Sequence, residues 1–362
     1  MRVVQLLPEL NEGGVERGVV ELNRELVKRG IESIVVSVGG KQSDQISVDG
    51  GTHIAFDVVS KNPLTAPLRV LQLRALIKEL QPDILHARSR VPAWLSYLAN
   101  KPLGIPFVTT VHGFNSVNAY SRVMTFGDRV ICVSRAVKDY VQQHYQVPEE
   151  KLVVIPRGVD LDLFDPDNLD QDFVDRFKQK YEMTGRFVVA SVGRVTQLKD
   201  YETFIRAVAL AKDDLPNICG LIVGGVRQDK QGYFHLLKKL VSELDADSFI
   251  KFVGSQSKIA EIYSLSDVVV SCSKKPESFG RTAAEALAMN VPVIATNHGG
   301  VVDIVQNGEN GCLIESESPS ALAAAITAPF GGKRNYRSWI TGNFSLSAML
   351  NSTLEVYKAI GS

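Results

Sequence analysis

The sequence predicts an α/β protein built from two Rossmann-like domains with parallel sheets. Three observations carry this. Two series of short apolar runs alternating with helix-type segments begin at Val3 and at Phe187, the alternation that builds βαβ units. At 362 residues the chain suits two domains better than one. A polar, Asp-rich stretch over 161–182 separates the two series and reads as a linker.

The first series opens with a strand over Val3–Leu7, a loop carrying Gly13-Gly14, and a helix over Val15–Arg29 with Val19, Leu22, Leu26 and Val27 on one face. Gly30 suits its C-terminal cap, and Ile34–Val36 is the next strand. Gly13-Gly14 is either turn chemistry alone or a backbone surface facing a ligand at the sheet's C-terminal edge. The G-x-G-x-x-G spacing is absent, which argues against a nicotinamide dehydrogenase.

Over 60–104, Lys61, Arg69, Arg74, Lys78, Arg88, Arg90 and Lys101 face only Glu79 and Asp83, an excess of five positive charges. Leu68, Leu71, Leu76 and Leu80 lie among the first of them. The segment fits a core-facing helix with a basic outer face. It also fits a surface that touches anionic lipid. Strands are expected over Asp83–His86 and Pro106–Val111, the second ending at His112, which is either a structural histidine or one placed for a ligand. Val130–Ser134 and Val153–Pro156 complete this half.

The second series starts with Phe187–Val192 and runs into Gly193-Arg194 and Lys199 before a helix over Tyr201–Ala211. Two cations after a buried strand suit a diphosphate, Arg as a planar fork and Lys as a point charge. A solvated basic turn would look the same. Cys219–Val223, Ile250–Gly254 and Val268–Val270 are further strands.

The stretch that organises this half is Pro276-Glu277-Ser278-Phe279-Gly280, followed from Arg281 by the helix-favouring run to Met289. A helix that starts after a loop presents unpaired N–H groups and the positive end of its dipole, a site for an anion. Glu277 and Glu285 bracket it. Alone, they could equally be a loop carboxylate and a surface-helix carboxylate. The strand Val291–Thr296 follows, then Gly299-Gly300.

Glu277 through Glu285 with Phe279-Gly280, then Pro292–Thr296 and Gly299-Gly300, resembles the donor site of retaining glycosyltransferases of family 4. The resemblance implies the GT-B fold, two Rossmann-like domains facing across a cleft. It implies domains 1–165 and 166–344, with a C-terminal helix of about 345–362 crossing back to the first. Arg194 and Lys199 would grip the leaving diphosphate, with Gly193, Ser278, Phe279, Gly280 and Arg281 around the donor. Glu285 would accept from the ribose hydroxyls. Glu277 would face the donor sugar, and His112 would contact that sugar from the other domain. Val253 and Gly254 would border the base through their backbone. Gly14 would lie beside the donor phosphate, and Gly13 and Glu16 on the acceptor side. Two positions depart from the family pattern: Arg157 stands where Asn is usual, and Asp200 where Gly usually follows the Lys.

Composition narrows the rest. The formal net charge is zero, so no nucleic-acid partner is expected. Four scattered cysteines form no CxxC pair and read as reduced core residues. No Asp-x-Asp or His-rich cluster suggests a metal, and no cofactor is expected beyond the nucleotide-sugar co-substrate. The N-terminus meets Pro8 and Glu9 too soon for a secretory signal, so a cytoplasmic protein is expected, with weak contact to anionic membrane through 60–104. The expected activity is transfer of a sugar from a UDP- or GDP-sugar to the hydroxyl of a saccharide or lipid-linked saccharide, in lipopolysaccharide or envelope polysaccharide synthesis. A nucleotide-sugar epimerase or hydrolase on the same fold, a two-domain sugar-binding protein and an inactive homologue are the alternatives.

Overall fold

The computed structural model describes residues 1–11, 13–328 and 335–361. The chain divides into two compact units, Met1–Gly158 with Leu346–Ser362, and Val159–Ser345.

In the first unit the order is β1 (Arg2–Leu6), α1 (Gly14–Lys28), β2 (Glu32–Ser37), α2 (Ser43–Val48), β3 (Thr52–Ala55), α3 (Ala66–Leu80), β4 (Ile84–Ala87), α4 (Arg90–Asn100), β5 (Phe107–Val111), β6 (Arg129–Cys132), α5 (Arg135–Tyr145) and β7 (Leu152–Val154). The strands form one sheet in the order β3-β2-β1-β4-β5-β6-β7, parallel throughout. Its central strands read as continuous apolar runs because both faces are covered. Val4, Leu6, Leu85 and Phe107 belong to one core layer. Val3, Ile84, Val108 and Ile131 alternate with them and belong to another.

The second unit holds α6 (Gln171–Lys180), β8 (Phe187–Val192), α7 (Tyr201–Ala211), β9 (Ile218–Val223), α8 (Gln231–Glu243), β10 (Ile250–Gly254), α9 (Ile259–Ser264), β11 (Val268–Ser271), α10 (Arg281–Ala288), β12 (Val293–Thr296), β13 (Gly311–Ile314), α11 (Pro319–Thr327) and α12 (Tyr336–Asn343). Its parallel sheet runs β10-β9-β8-β11-β12-β13. The last helix, α13 (Leu346–Ile360), packs in the first unit, where Leu350, Leu354 and Tyr357 join the layer containing Val3 and Ile84.

The stretch 161–182 is not a linker. Asp170 caps α6 by accepting from the Phe173 N–H at 2.9 Å, and Val174 and Phe177 are buried in the second core. Burying one such side chain contributes about 1.5–3 kcal/mol, enough to hold a helix whose composition is otherwise polar.

Each sheet reverses its strand order once. In the first unit β1 pairs with β2 on one side and β4 on the other. In the second, β8 pairs with β9 and β11. Loops leaving the strand ends at such a switch point form the crevice where open α/β sheets take ligands. After β1 comes Gly13-Gly14 and after β4 comes Arg88; after β8 come Gly193 to Lys199, and after β11 comes Glu277.

Candidate active site

At the second unit's switch point, the expected residues largely converge. Lys199 Nζ donates to Glu277 Oε1 at 2.5 Å, and Ser273 Oγ donates to the same oxygen at 2.5 Å. Burial pushes the Glu277 carboxyl up, but Lys199, the Ser273 hydroxyl and His298 together hold it below the usual carboxylate range. Glu277 is thus an ionised group fixed in place by two donors. The 198–200 turn is docked on the Glu277 side, since Lys274 N donates to Leu198 O at 2.9 Å and Cys272 Sγ contacts Asp200 O at 3.4 Å.

The Glu277 loop is held from a third direction. Gly300 N donates to Glu277 O at 2.7 Å, and Glu277 bridges Gly299 in parallel fashion. A Cβ on Gly300 would lie 2.4 Å from Ser278 O, so Gly299-Gly300 is the backbone that clamps the loop.

The loop then turns into α10. Gly280 caps it at φ 99°, with no side-chain cap, a left-handed conformation that glycine adopts without strain. The N–H groups of the first turn are therefore free of a side-chain acceptor at the N-cap. Thr282 Oγ1 donates to Val192 O at 3.3 Å and ties this start to the end of β8. Glu285 is buried, accepts from Tyr263 Oη at 3.1 Å, and lies 3.9 Å from Arg281 Nη1.

Phe279 differs from its expected role. Its side chain is buried in the core, 6.1 Å from Phe344 between ring centroids, so only its backbone is available to a ligand. Arg194 is exposed and makes no hydrogen bond or ion pair with any described residue. Gly193 lies over Lys199: a Cβ there would meet Lys199 Cε at 2.9 Å. Val253 and Gly254 end β10, two strands from the switch point, where Gln256 Nε2 donates to Val253 O at 2.6 Å and Gly254 is exposed.

Asp200, the departure from the family pattern, does not face a ligand. It is buried at φ 51° and accepts from Thr203 N at 3.4 Å and Thr203 Oγ1 at 2.8 Å, capping α7. Lys274 Nζ lies 3.4 Å from its carboxylate. Burial pushes this carboxyl up against those partners, and its charge is answered locally.

The first unit gathers its own polar cluster. His112 Nδ1 faces Arg157 Nη2 at 3.5 Å. A guanidinium can only donate, so Nδ1 accepts and the ring proton sits on Nε2, a buried nitrogen with no partner among the described residues. His112 is held well below its ordinary range by burial, then by Arg88, Arg157 and His86. It is therefore neutral at pH 7 and able to donate. Glu16 folds back over Gly13, its Oε2 2.1 Å from where a Gly13 Cβ would sit. Among the residues sequence reasoning missed are Ser273, His298, Tyr263, Arg88 and Arg157. Ser273 and His298 flank motif residues closely, but nothing in the spacing says that their side chains turn toward Glu277.

Two Rossmann-like units, each with its glycine loops and charged side chains at the switch point, define a two-domain α/β protein of the GT-B class. The first unit matches the family model Glycosyltransferase Family 4 over residues 12–163, and the second matches Glycosyl transferases group 1 over residues 173–341. A glycosyltransferase from Rickettsia africae ESF-5 is 33% identical, with a TM-score of 0.90 over 99% of this chain and 98% of that one. The chain therefore belongs to the family 4 glycosyltransferases and is an enzyme of hexosyltransferase type. The D-inositol 3-phosphate glycosyltransferase of Thermomonospora curvata is 26% identical over 353 residues, covering 87% of this chain and 82% of the relative. Anabaena HepE, solved with UDP, shares the fold at a TM-score of 0.84 and 21% identity, over 99% of this chain and all (100%) of its own.

Proposed function

We propose that the enzyme moves a sugar from a UDP- or GDP-sugar to an acceptor hydroxyl with retention of configuration, in the synthesis of an envelope saccharide such as lipopolysaccharide. The observation that carries this is the pairing of Lys199 with Glu277 beside the uncapped start of α10. Lys199, Arg194 and that helix start meet the charge developing on the departing diphosphate. Glu277 faces the donor sugar and stabilises positive charge at the anomeric carbon. Glu285 takes the ribose hydroxyls, and His112 contacts the donor sugar. Gly14, Gly193, Val253, Gly254 and Arg281 line the donor, with Gly13 and Glu16 on the acceptor side. The UDP complex of the Anabaena neighbour supports a nucleotide donor.

A thermal-shift series with UDP, GDP and ADP tests this. A ligand at a hundred times its Kd stabilises by about 2.7 kcal/mol, so one of the three is expected to raise Tm clearly. No shift with any of them overturns the donor assignment. Among the described residues no group of three or more His, Cys, Asp or Glu side chains gathers as metal ligands do, and we propose transfer without a metal ion. Turnover is expected to survive EDTA; loss restored by Mg²⁺ or Mn²⁺ overturns that part.

We also propose that α3 rests on anionic membrane. No helix among the described residues is long and apolar enough to cross one. The outer side of α3 and the loop before it expose Leu64, Leu68 and Leu71 at 88%, 59% and 58%. Lys61, Lys78 and Lys101 are exposed nearby in sequence, and an apolar groove of about 670 Å³ opens between Pro63, Arg69, Trp94, Leu98 and Tyr120. Exposed leucines with basic neighbours suit a headgroup interface, each Lys or Arg adding about 1 kcal/mol. Arg69 and Arg88 are buried and do not share in it. Co-sedimentation with anionic vesicles should exceed that with neutral ones and fall with salt. Equal sedimentation with both rejects the contact.

A further inference from the structure

Arg88 is the least explained charge in the first unit. It follows β4 at the switch point and is only 7% exposed. Its Nε has no hydrogen-bond partner among the described residues, and its Nη1 lies 3.5 Å from His86 Nε2. His86 is itself tied up, with Tyr357 Oη and Thr110 Oγ1 each at 2.6 Å. Among the described residues no carboxylate acts on Arg88; burial leads, pushing it down to about 10, and Tyr357 opposes this. It remains a cation at pH 7. A buried charge without a counter-ion is costly, and such a group is retained where something else supplies the opposite charge.

The surroundings are those of an anion's binding groups. Arg88 Nη2 lies 3.9 Å from where a Cβ on Gly18 would sit, beside α1. Arg157, three residues past β7, reaches back so that its Nη1 is 2.3 Å from where a Cβ on Gly14 would sit. A side chain at 14 would have to displace it. His112 Nε2–H, buried and unpartnered among the described residues, is the third donor. Arg88, His112 and Arg157 follow three different strands, β4, β5 and β7, and so approach from different directions. That suits the several oxygens of a tetrahedral oxyanion better than the flat face of a carboxylate. Glu16 folds over Gly13 and already occupies that side of the α1 start, so the helix amides are not needed.

We propose that Arg88, Arg157 and His112 form a pocket for a phosphoryl group carried by the acceptor. The inference rests on the glycosyltransferase reading and narrows its acceptor to a phosphorylated one. The same chemistry could come from the donor's diphosphate, and the test separates the two. Isothermal titration of the full chain is made with inorganic phosphate, with and without saturating UDP or GDP, for the wild type, Arg88→Gln and Arg157→Met. A charge-assisted hydrogen bond lost from such a site weakens binding about tenfold or more. Phosphate is expected to bind the wild type even with the nucleotide present, and to weaken at least about tenfold in both variants, with nucleotide affinity unchanged. If the nucleotide displaces phosphate and both variants weaken the nucleotide, the pocket serves the donor and the proposal is overturned. Unchanged phosphate affinity in both variants also overturns it. Should Arg88→Gln fail to fold, Arg88→Lys keeps the charge, and partial retention of phosphate binding is expected. Arg88-dependent phosphate binding in a chain that takes no nucleotide would support the pocket and count against the donor assignment alone.

Discussion

Lys199→Ala is expected to lower kcat by about 10²-fold or more, with donor KM rising as well. Lys199 has two tasks in this geometry. Its ammonium meets the diphosphate, whose negative charge grows as the glycosidic bond breaks, so it stabilises the transition state more than the ground state. It also fixes the Glu277 carboxylate at 2.5 Å. Glu285→Ala should instead act mainly on donor KM, because the ribose is unchanged in the reaction; its partner Tyr263 Oη, 3.1 Å away, would then be left without that acceptor. Steady-state kinetics on both variants, with folding checked by circular dichroism, decide the matter. Near-wild-type kcat and KM in Lys199→Ala would remove the diphosphate assignment and most of the donor site with it.

The same substitution has a pH signature. Lys199 and Ser273 hold Glu277 below its usual range against burial. A carboxyl depressed in the folded state adds stability above its unfolded pKa, and that stability is lost as pH falls through the folded value. With Lys199 gone, burial acts with less opposition and the folded pKa rises. The acid limb of the kcat profile should therefore move to higher pH in Lys199→Ala. An acid limb at the wild-type position would mean that the limb reports some other group.

The two chain halves were legible to different degrees, for physical reasons. Parallel strands buried on both faces are continuous apolar runs, so Phe187–Val192 and Phe107–Val111 stand out in the sequence. The Glu277–Glu285 segment is local, and its loop, glycine and helix start can be read from adjacent residues. Convergence is not local. Arg88 and Arg157 meet near His112 because β4, β5 and β7 lie in one sheet, and nothing in the spacing reveals that order. Ser273 is four residues before Glu277 in the same loop, yet its hydroxyl direction is set by tertiary packing. Helix α3 has apolar residues all round it, so periodicity could not say that Leu73 and Ile77 point inward and Leu68 and Leu71 outward. In the sequence Asp200 is only an acid where Gly usually follows the Lys; its left-handed backbone, its capping of α7 and its pairing with Lys274 are visible only in three dimensions.

Gly300→Ala should cost about as much activity as losing a catalytic side chain, although residue 300 carries no chemistry. A methyl there would lie 2.4 Å from Ser278 O and 2.7 Å from Phe279 Cα. Both are backbone atoms, so no side chain can swing aside. The loop from Glu277 to Gly280 must shift instead, breaking or lengthening the 2.7 Å bond from Gly300 N to Glu277 O. A displacement of about 1 Å at a reacting group can cost about 10²-fold in rate. Overpacking of this kind typically costs about 1–3 kcal/mol, and a unit of this size loses about 2–4 °C in Tm for each of those. Gly232→Ala is the control. Position 232 lies in α8 with nothing within 4 Å of a new Cβ, so it should keep full activity and an equal or slightly higher Tm. The expected result is a kcat loss in Gly300→Ala far larger than its modest fall in Tm explains, because the folded enzyme holds Glu277 and the α10 start in the wrong place. Wild-type kcat in Gly300→Ala would show that the Glu277 loop does not need this clamp.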